Sequence, residues 1–128
     1  MRTWVIAGVL VLASSGAALA QDAGAGQQAF TTKCGPCHAV GDGATIKLGP
    51  PLNGIDGRKA GTFEGFMYSD GLKNLGITWD KAKFTQWVSG PQAMVPGTRM
   101  AFAGDKDDAE VGNIWAYLSS FKADGSKK

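Results

Sequence analysis

The sharpest alternation of apolar and polar positions lies near the C-terminal end of the chain. Val111, Ile114, Trp115, Leu118 and Phe121 recur at spacings of three and four, which makes an apolar stripe on one face of a helix. Asp107, Asp108 and Glu110 load the first turn, where negative charge suits the helix dipole, and Asp105 or a neighbour is the expected cap. Lys122, Lys127 and Lys128 follow at the other end. A weaker stripe of Ala25, Ala29 and Phe30 predicts a helix from Ala23 to Lys33, with Asp22 as its cap. A third helix runs through Ala82, Phe84, Trp87 and Val88; Thr78 or Asp80 starts it and Gly90-Pro91 closes it. A short helix is expected around Ser69 to Asn74, capped by Ser69 or Asp70 and stopped by Gly76.

Between these stripes the periodicity dissolves. Residues 39–66 are rich in glycine, contain Pro50-Pro51, and read as one long looping segment. A loop of that length inside a small domain usually wraps a ligand. Residues 91–104 also read as loop, with Pro96-Gly97 as a turn. Strand-like alternation is scarce and no internal repeat is visible. The fold class is therefore all-α, with terminal helices framing glycine-rich loops.

Residues 1–20 stand apart from this pattern. Arg2 precedes an apolar run from Trp4 to Leu12, and Ala18-Leu19-Ala20 ends it in small residues. This is the form of a cleavable secretory signal peptide, too short in its apolar part for a transmembrane helix. An uncleaved anchor is the rival reading. Cleavage after Ala20 leaves residues 21–128 as one exported domain in the periplasm, expected to be monomeric and without stable membrane insertion. The formal net charge is +2, and loss of Arg2 takes one positive charge away. Lys and Arg form no long run, so nucleic acid is not an expected partner. With 19 glycines, the chain has little side-chain volume for a core, and a large flat apolar cofactor would supply what is missing.

Both cysteines and the only histidine fall within Cys34-Gly35-Pro36-Cys37-His38. That spacing is the attachment signature of a c-type haem. The two thiolates add across the vinyl groups, and the following His is held against the iron. The rivals are weaker. A redox dithiol of the thioredoxin type needs a βαβ context that is absent here. A zinc site needs about four ligands. A disulfide across two intervening residues is strained.

The sixth ligand separates an electron carrier from a small haem enzyme or gas sensor. No second His exists, so a Met thioether is the natural candidate, and residues 21–128 offer Met67, Met94 and Met100. Met100 is favoured because it follows the turn at Pro96-Gly97-Thr98-Arg99 and precedes Phe102, an aromatic able to shield a haem edge.

With these motifs in place, the chain resembles the class I c-type cytochromes, in the pattern of the cytochrome c2 and mitochondrial cytochrome c group. The resemblance rests on Cys34 to His38, Gly49-Pro50, Gly57-Arg58-Lys59-Ala60-Gly61, Gly76-Ile77-Thr78-Trp79, Pro96 to Phe102, and Ala116-Tyr117-Leu118, in matching order and spacing. It implies a cytochrome c fold, with crossing terminal helices and glycine-rich loops wrapped around one covalent haem c. It implies His38 and Met100 as the axial pair on iron, with the Pro50 carbonyl on the other imidazole nitrogen of His38. Arg58, Tyr68 and Trp79 would hydrogen-bond the haem propionates, with the Thr98 hydroxyl nearby. Gly26 and Phe30 would pack against Tyr117 and its neighbours. The implied activity is one-electron transfer without catalysis. The implied partners are larger redox proteins: a bc-type complex, cytochrome oxidase, a photosynthetic reaction centre or a periplasmic dehydrogenase.

Two positions depart from many relatives. Leu72 stands where Asn is common, and Trp87 where Tyr is common; the expected result is a drier pocket and a firmer Met100 ligand. Gln92 and Ala93 fall in a stretch often rich in lysine. The docking face is therefore expected to rest on Lys33, Lys47, Arg99 and Lys106, with weak salt-dependent steering.

Overall fold

The computed structural model describes residues 21–128, so the expected signal peptide lies outside the described residues. Five helices follow in chain order: α1 (Ala23–Lys33), α2 (Asp70–Lys73), α3 (Lys81–Ser89), α4 (Pro91–Met94) and α5 (Asp108–Leu118). Among the described residues there is no strand; two isolated bridges pair Lys59 with Thr78 and Phe121 with Lys127. The all-α expectation holds.

The helix starts follow side-chain capping. Asp22 accepts from the amides of Gly24 and Ala25, Asp80 from that of Lys83, and Asp107 from those of Ala109 and Glu110. Ser69 caps α2 through the Leu72 amide. Two expectations need correction. Residues 91–104 are not all loop, because Pro91 sits at the first position of the one-turn α4, where a missing N–H costs nothing. The cap of α5 is Asp107; Asp105 is buried and accepts from the Asp107 amide instead.

The stripes read from the sequence become one core. Phe30 of α1, Phe84, Trp87 and Val88 of α3, and Val111, Ile114, Trp115 and Leu118 of α5 are all buried. Rings meet at centroid distances of 5.6 Å for Phe30–Tyr117 and 5.2 Å for Phe84–Trp115. Each such pair adds about 1 kcal/mol to the area it buries. Helices α1 and α5 approach at Gly26, where a Cβ would lie 1.9 Å from the Asn113 carbonyl oxygen. No side chain fits there, so glycine is what lets the terminal helices touch. Phe121, expected on the α5 stripe, lies beyond the helix end and is buried through its bridge to Lys127.

The segment between α1 and α2 has no helix and is tied by backbone bonds to the stretch between α2 and α3. Ala60 donates to Ile77 (2.8 Å), Trp79 to Arg58 (2.9 Å) and Gly57 to Trp79 (2.9 Å). This local ladder sets Arg58 beside Trp79, on the wall of an interior cavity.

Candidate haem site

The end of α1 builds the first wall. The amides of Cys34 and Gly35 both donate to the Phe30 carbonyl at 2.8 Å, and the amides of Cys37 and His38 return to that of Cys34 at 3.0 and 2.8 Å. This tight turn sets Cys34, Cys37 and His38 on one cavity of about 390 Å3. Both thiols are unpaired and half-buried. Burial, reinforced by the charge of Asp105, pushes the Cys34 thiol up to about 11. A redox dithiol needs the opposite shift, so the geometry disfavours that reading.

His38 is fixed by its neighbours. Its Nδ1 lies 2.8 Å from the Pro50 carbonyl oxygen. A carbonyl can only accept, so Nδ1 carries the proton and Nε2 keeps its lone pair. Burial lowers the His38 pKa, the bond to the Pro50 carbonyl opposes this, and the positive charges of Arg58 and Lys47 add to the lowering; the net shift favours the neutral imidazole a metal ligand needs. Gly49 makes room for this ring. A Cβ at residue 49 would meet the His38 ring at 2.3 Å, and the Gly49 amide donates to the Cys37 carbonyl at 2.8 Å.

The remaining expected residues converge on the same cavity. Pro50, Arg58, Tyr68, Trp79, Thr98 and Met100 all line it, as do Leu72 and Trp87. Arg58 Nη1 donates to the carbonyls of Pro51 (2.9 Å) and Asn53 (3.3 Å), and its guanidinium stands 5.4 Å from the Phe63 ring centroid. Burial lowers its pKa. The Tyr68 hydroxyl accepts from the Phe63 amide at 3.0 Å and keeps its own proton to donate. No buried side-chain nitrogen or oxygen among the described residues lacks a partner. Trp79 is buried on the cavity wall.

The three methionines are now distinguishable. Met94 packs against the core and is not on the cavity wall. Met67 is on the rim but 75% exposed. Met100 is half-buried on the wall itself. Its amide makes a long bond of 3.4 Å to Thr98 Oγ1.

The residues present fit a c-type haem. Two thiols stand at one wall, a neutral imidazole faces inward, the lining is largely apolar, and Arg58, Tyr68 and Trp79 hold donors for buried carboxylates. A zinc alternative finds no support, because no group of three or more His, Cys, Asp or Glu among the described residues is placed to hold a metal.

A family model described as cytochrome c matches residues 23–122. The chain belongs to the cytochrome c family. It is 58% identical to a cytochrome c2 of Rhodoplanes tepidamans over 108 residues, 84% of this chain and 100% of the relative. It is 51% identical to a cytochrome c2 of Blastochloris viridis over 125 residues, 97% of this chain and 98% of the relative. A cytochrome c-550 of Bradyrhizobium diazoefficiens is 52% identical over 106 residues, 83% of this chain and 77% of the relative. Membership brings the cofactor and the class of chemistry. The chain is an electron-transfer protein rather than an enzyme, and carries covalent haem c with its iron at Cys34-Gly35-Pro36-Cys37-His38.

Two residues that brace this site carry no signal of that role in the sequence. Asn53 is buried; its Oδ1 accepts from the Gly41 amide (2.6 Å) and its Nδ2 donates to the Gly41 carbonyl (2.9 Å). Asp105 accepts from Lys33 Nζ at 3.0 Å, while Glu110 takes the same ammonium at 2.8 Å. A lone Asn in a glycine-rich loop carries no signal of such a lock. Lys33 is thus tied into an ion pair, which its sequence position did not show. Of the other expected docking cations, Lys47 donates to the Gly35 carbonyl and Arg99 to that of Met67 (3.3 Å), while Lys106 is exposed.

Proposed function

We propose that the chain is a monomeric periplasmic shuttle, passing one electron between larger redox complexes through a haem whose iron is held by His38 and Met100. One observation carries the reading: a tautomer-locked His38 and a half-buried Met100 line the same largely apolar cavity behind Cys34 and Cys37. When bound, the haem supplies a one-electron iron couple, and a thioether ligand raises its potential by favouring the ferrous state. The protein orients the imidazole, excludes water with Leu72, Trp79 and Trp87, and offers Arg58, Tyr68, Trp79 and Thr98 to the propionates. The terminal helices cross at Gly26, and the loops from residue 39 to residue 66 wrap the haem.

The leader over residues 1–20 supports export, and a bc-type complex, an oxidase, a reaction centre or a periplasmic dehydrogenase is the matching partner class. No helix among the described residues is long and apolar enough to cross a membrane. The test is optical. The ferric protein should show the weak sulfur-to-iron charge-transfer band at the red end of the visible, and the ferrous protein should bind carbon monoxide slowly. A missing band with rapid carbon monoxide binding makes the chain a small haem enzyme or gas sensor instead.

A further inference from the structure

Past the end of α5 the chain turns back on itself. The Lys128 amide donates to the Ser120 carbonyl at 2.8 Å and the Lys122 amide to that of Ser126 at 2.8 Å, around the bridge between Phe121 and Lys127. Asp124 ties the tip, accepting from the Ser126 amide (2.9 Å) and hydroxyl (2.6 Å). Residues 120–128 therefore form a small hairpin.

One edge of the hairpin is fastened to α5. Lys127 Nζ stands 4.0 Å from the Phe121 ring centroid and 5.1 Å from that of Tyr117, and donates to Ser120 Oγ at 3.0 Å. A cation held over two rings is attracted by their negative faces. Tyr117 belongs to α5, so Lys127 ties the returning segment to the helix. The other edge presses on the loop that serves His38. Gly125 is buried, and a Cβ there would lie 2.3 Å from the Gly41 carbonyl oxygen and 3.0 Å from Asn53 Nδ2. A Cβ at Gly54 would meet the Ala123 Cα at 2.8 Å, and Lys128 Nζ reaches Asp56 at 3.6 Å. The hairpin thus covers the Gly41–Asn53 pair that closes this loop. Pro50 lies between the two covered ends, with its carbonyl on His38 Nδ1. Swinging the loop outward takes Pro50 away from the imidazole.

We propose that the 120–128 hairpin is a clasp that positions His38 from a distance: it holds the 41–56 loop shut against α5 and so keeps Pro50 on the imidazole of the attachment motif. Gly125, Lys127 and Lys128 are its positioning residues, and none of them lines the cavity. The clasp acts whichever residue is the sixth ligand and whatever the redox partner is. Helices α1, α3 and α5 pack through their own apolar stripes, so releasing the clasp frees the loop without loosening the helices.

The test is native-state hydrogen exchange on the holo-protein, followed by nuclear magnetic resonance. Gly125→Ala puts a methyl group against the Gly41 carbonyl and lifts the hairpin without changing charge. The Gly41 and Leu52 amides, bonded to Asn53 Oδ1 and the Ala39 carbonyl, should then exchange about tenfold faster, and the His38 Nδ1 proton with them. Amides inside α3 and α5 should change by less than about twofold. Lys127→Gln should speed the same loop protons about threefold, and Lys127→Arg, which keeps a cation over the rings, should restore the wild-type rates. Because Lys127 is exposed, its variants carry the test if Gly125→Ala yields no folded protein. Loop protons that neither Gly125→Ala nor Lys127→Gln moves overturn the proposal. So does an equal acceleration of loop and helices, since the hairpin would then add only to global stability. Exchange in Lys127→Arg as fast as in Lys127→Gln overturns the part assigned to the cation.

Discussion

The two sides of the cavity are held in different ways. On the His38 side, the structure is written in backbone bonds. The imidazole is pinned by Pro50, Gly49 returns to Cys37, Leu52 donates to Ala39 at 2.9 Å, and Asn53 grips both backbone groups of Gly41. The C-terminal segment is laid over this loop: Gly125 approaches so closely that a Cβ would meet the Gly41 carbonyl at 2.3 Å, and Lys128 pairs with Asp56 at 3.6 Å. On the Met100 side, the chain from Arg99 to Gly104 forms no helix and leans on few contacts. Its hydrogen bonds include the long Thr98–Met100 bond, Arg99 Nη1 on the Met67 carbonyl (3.3 Å), Gln92 Nε2 on the Thr98 carbonyl (2.8 Å), and an anchor at Asp105, whose amide donates to Val88 (2.7 Å), and Met100 and Phe102 pack against the core. One proposed ligand sits in a frame with many redundant ties; the other sits on a strap clipped at its two ends. Such a strap opens at lower free energy than the rest of the fold. The lesson is that the frames behind two proposed axial ligands of one iron can differ greatly in rigidity, apart from any difference between the donors themselves.

Perturbing the His38 side should be costly. Gly49→Ala drives a methyl group into a ring that Pro50 prevents from moving. A loss of about 4 kcal/mol is expected, with poor yield of haem-bearing protein in denaturant titration and purification. Asn53→Ala leaves the buried Gly41 amide and carbonyl without their partners. Urea unfolding should show a loss of about 2–3 kcal/mol, and an effect under 1 kcal/mol would mean that the Asn53 bonds are not what holds this loop.

Perturbing the Met100 side should change ligation before it changes the fold. Thr98→Val removes the acceptor for the Met100 amide. The global cost should be about 1 kcal/mol, while the pH at which the methionine ligand is lost falls clearly. Leu72→Asn places an amide on the cavity wall, where Leu72 is half-buried. It should admit water and lower the same midpoint by less; an unchanged or raised midpoint refutes the dry-pocket account.

The smallest effect concerns the clip between α1 and the strap. The Lys33 pKa is raised by its bonds to Glu110 and Asp105, so the folded state holds this proton more tightly than the unfolded chain. Its contribution is full below the ordinary lysine value of 10.5 and is lost as pH rises above it. The stability gap between wild type and Lys33→Gln should therefore be constant near neutrality and close above pH 10.5, read by unfolding at several pH values.

How far the sequence revealed this follows from where the information sits. The helices were legible because their apolar stripes and caps are local: Asp22, Ser69 and Asp80 cap where the pattern says. The attachment motif was legible because its chemistry lies in one pentapeptide. The choice of Met100 rested on a neighbouring turn and a family resemblance, and Met100 lines the cavity wall. What stayed hidden was long-range. Asp105 looks like a helix cap until the fold brings it to Lys33, 72 positions away. Asn53 and Gly41 are 12 positions apart in a loop with no periodicity to announce their pairing. The one-turn α4 was missed because four residues are too few to show a stripe.

The most direct measurement is a paired denaturant titration of the ferric protein, following the red-end sulfur-to-iron band and the far-ultraviolet helix signal together. The account predicts that the band is present in buffer and disappears at a clearly lower denaturant concentration than the helices, with His38 still on the iron between the two transitions. A band absent from the start, or one lost only together with the helices, would contradict it.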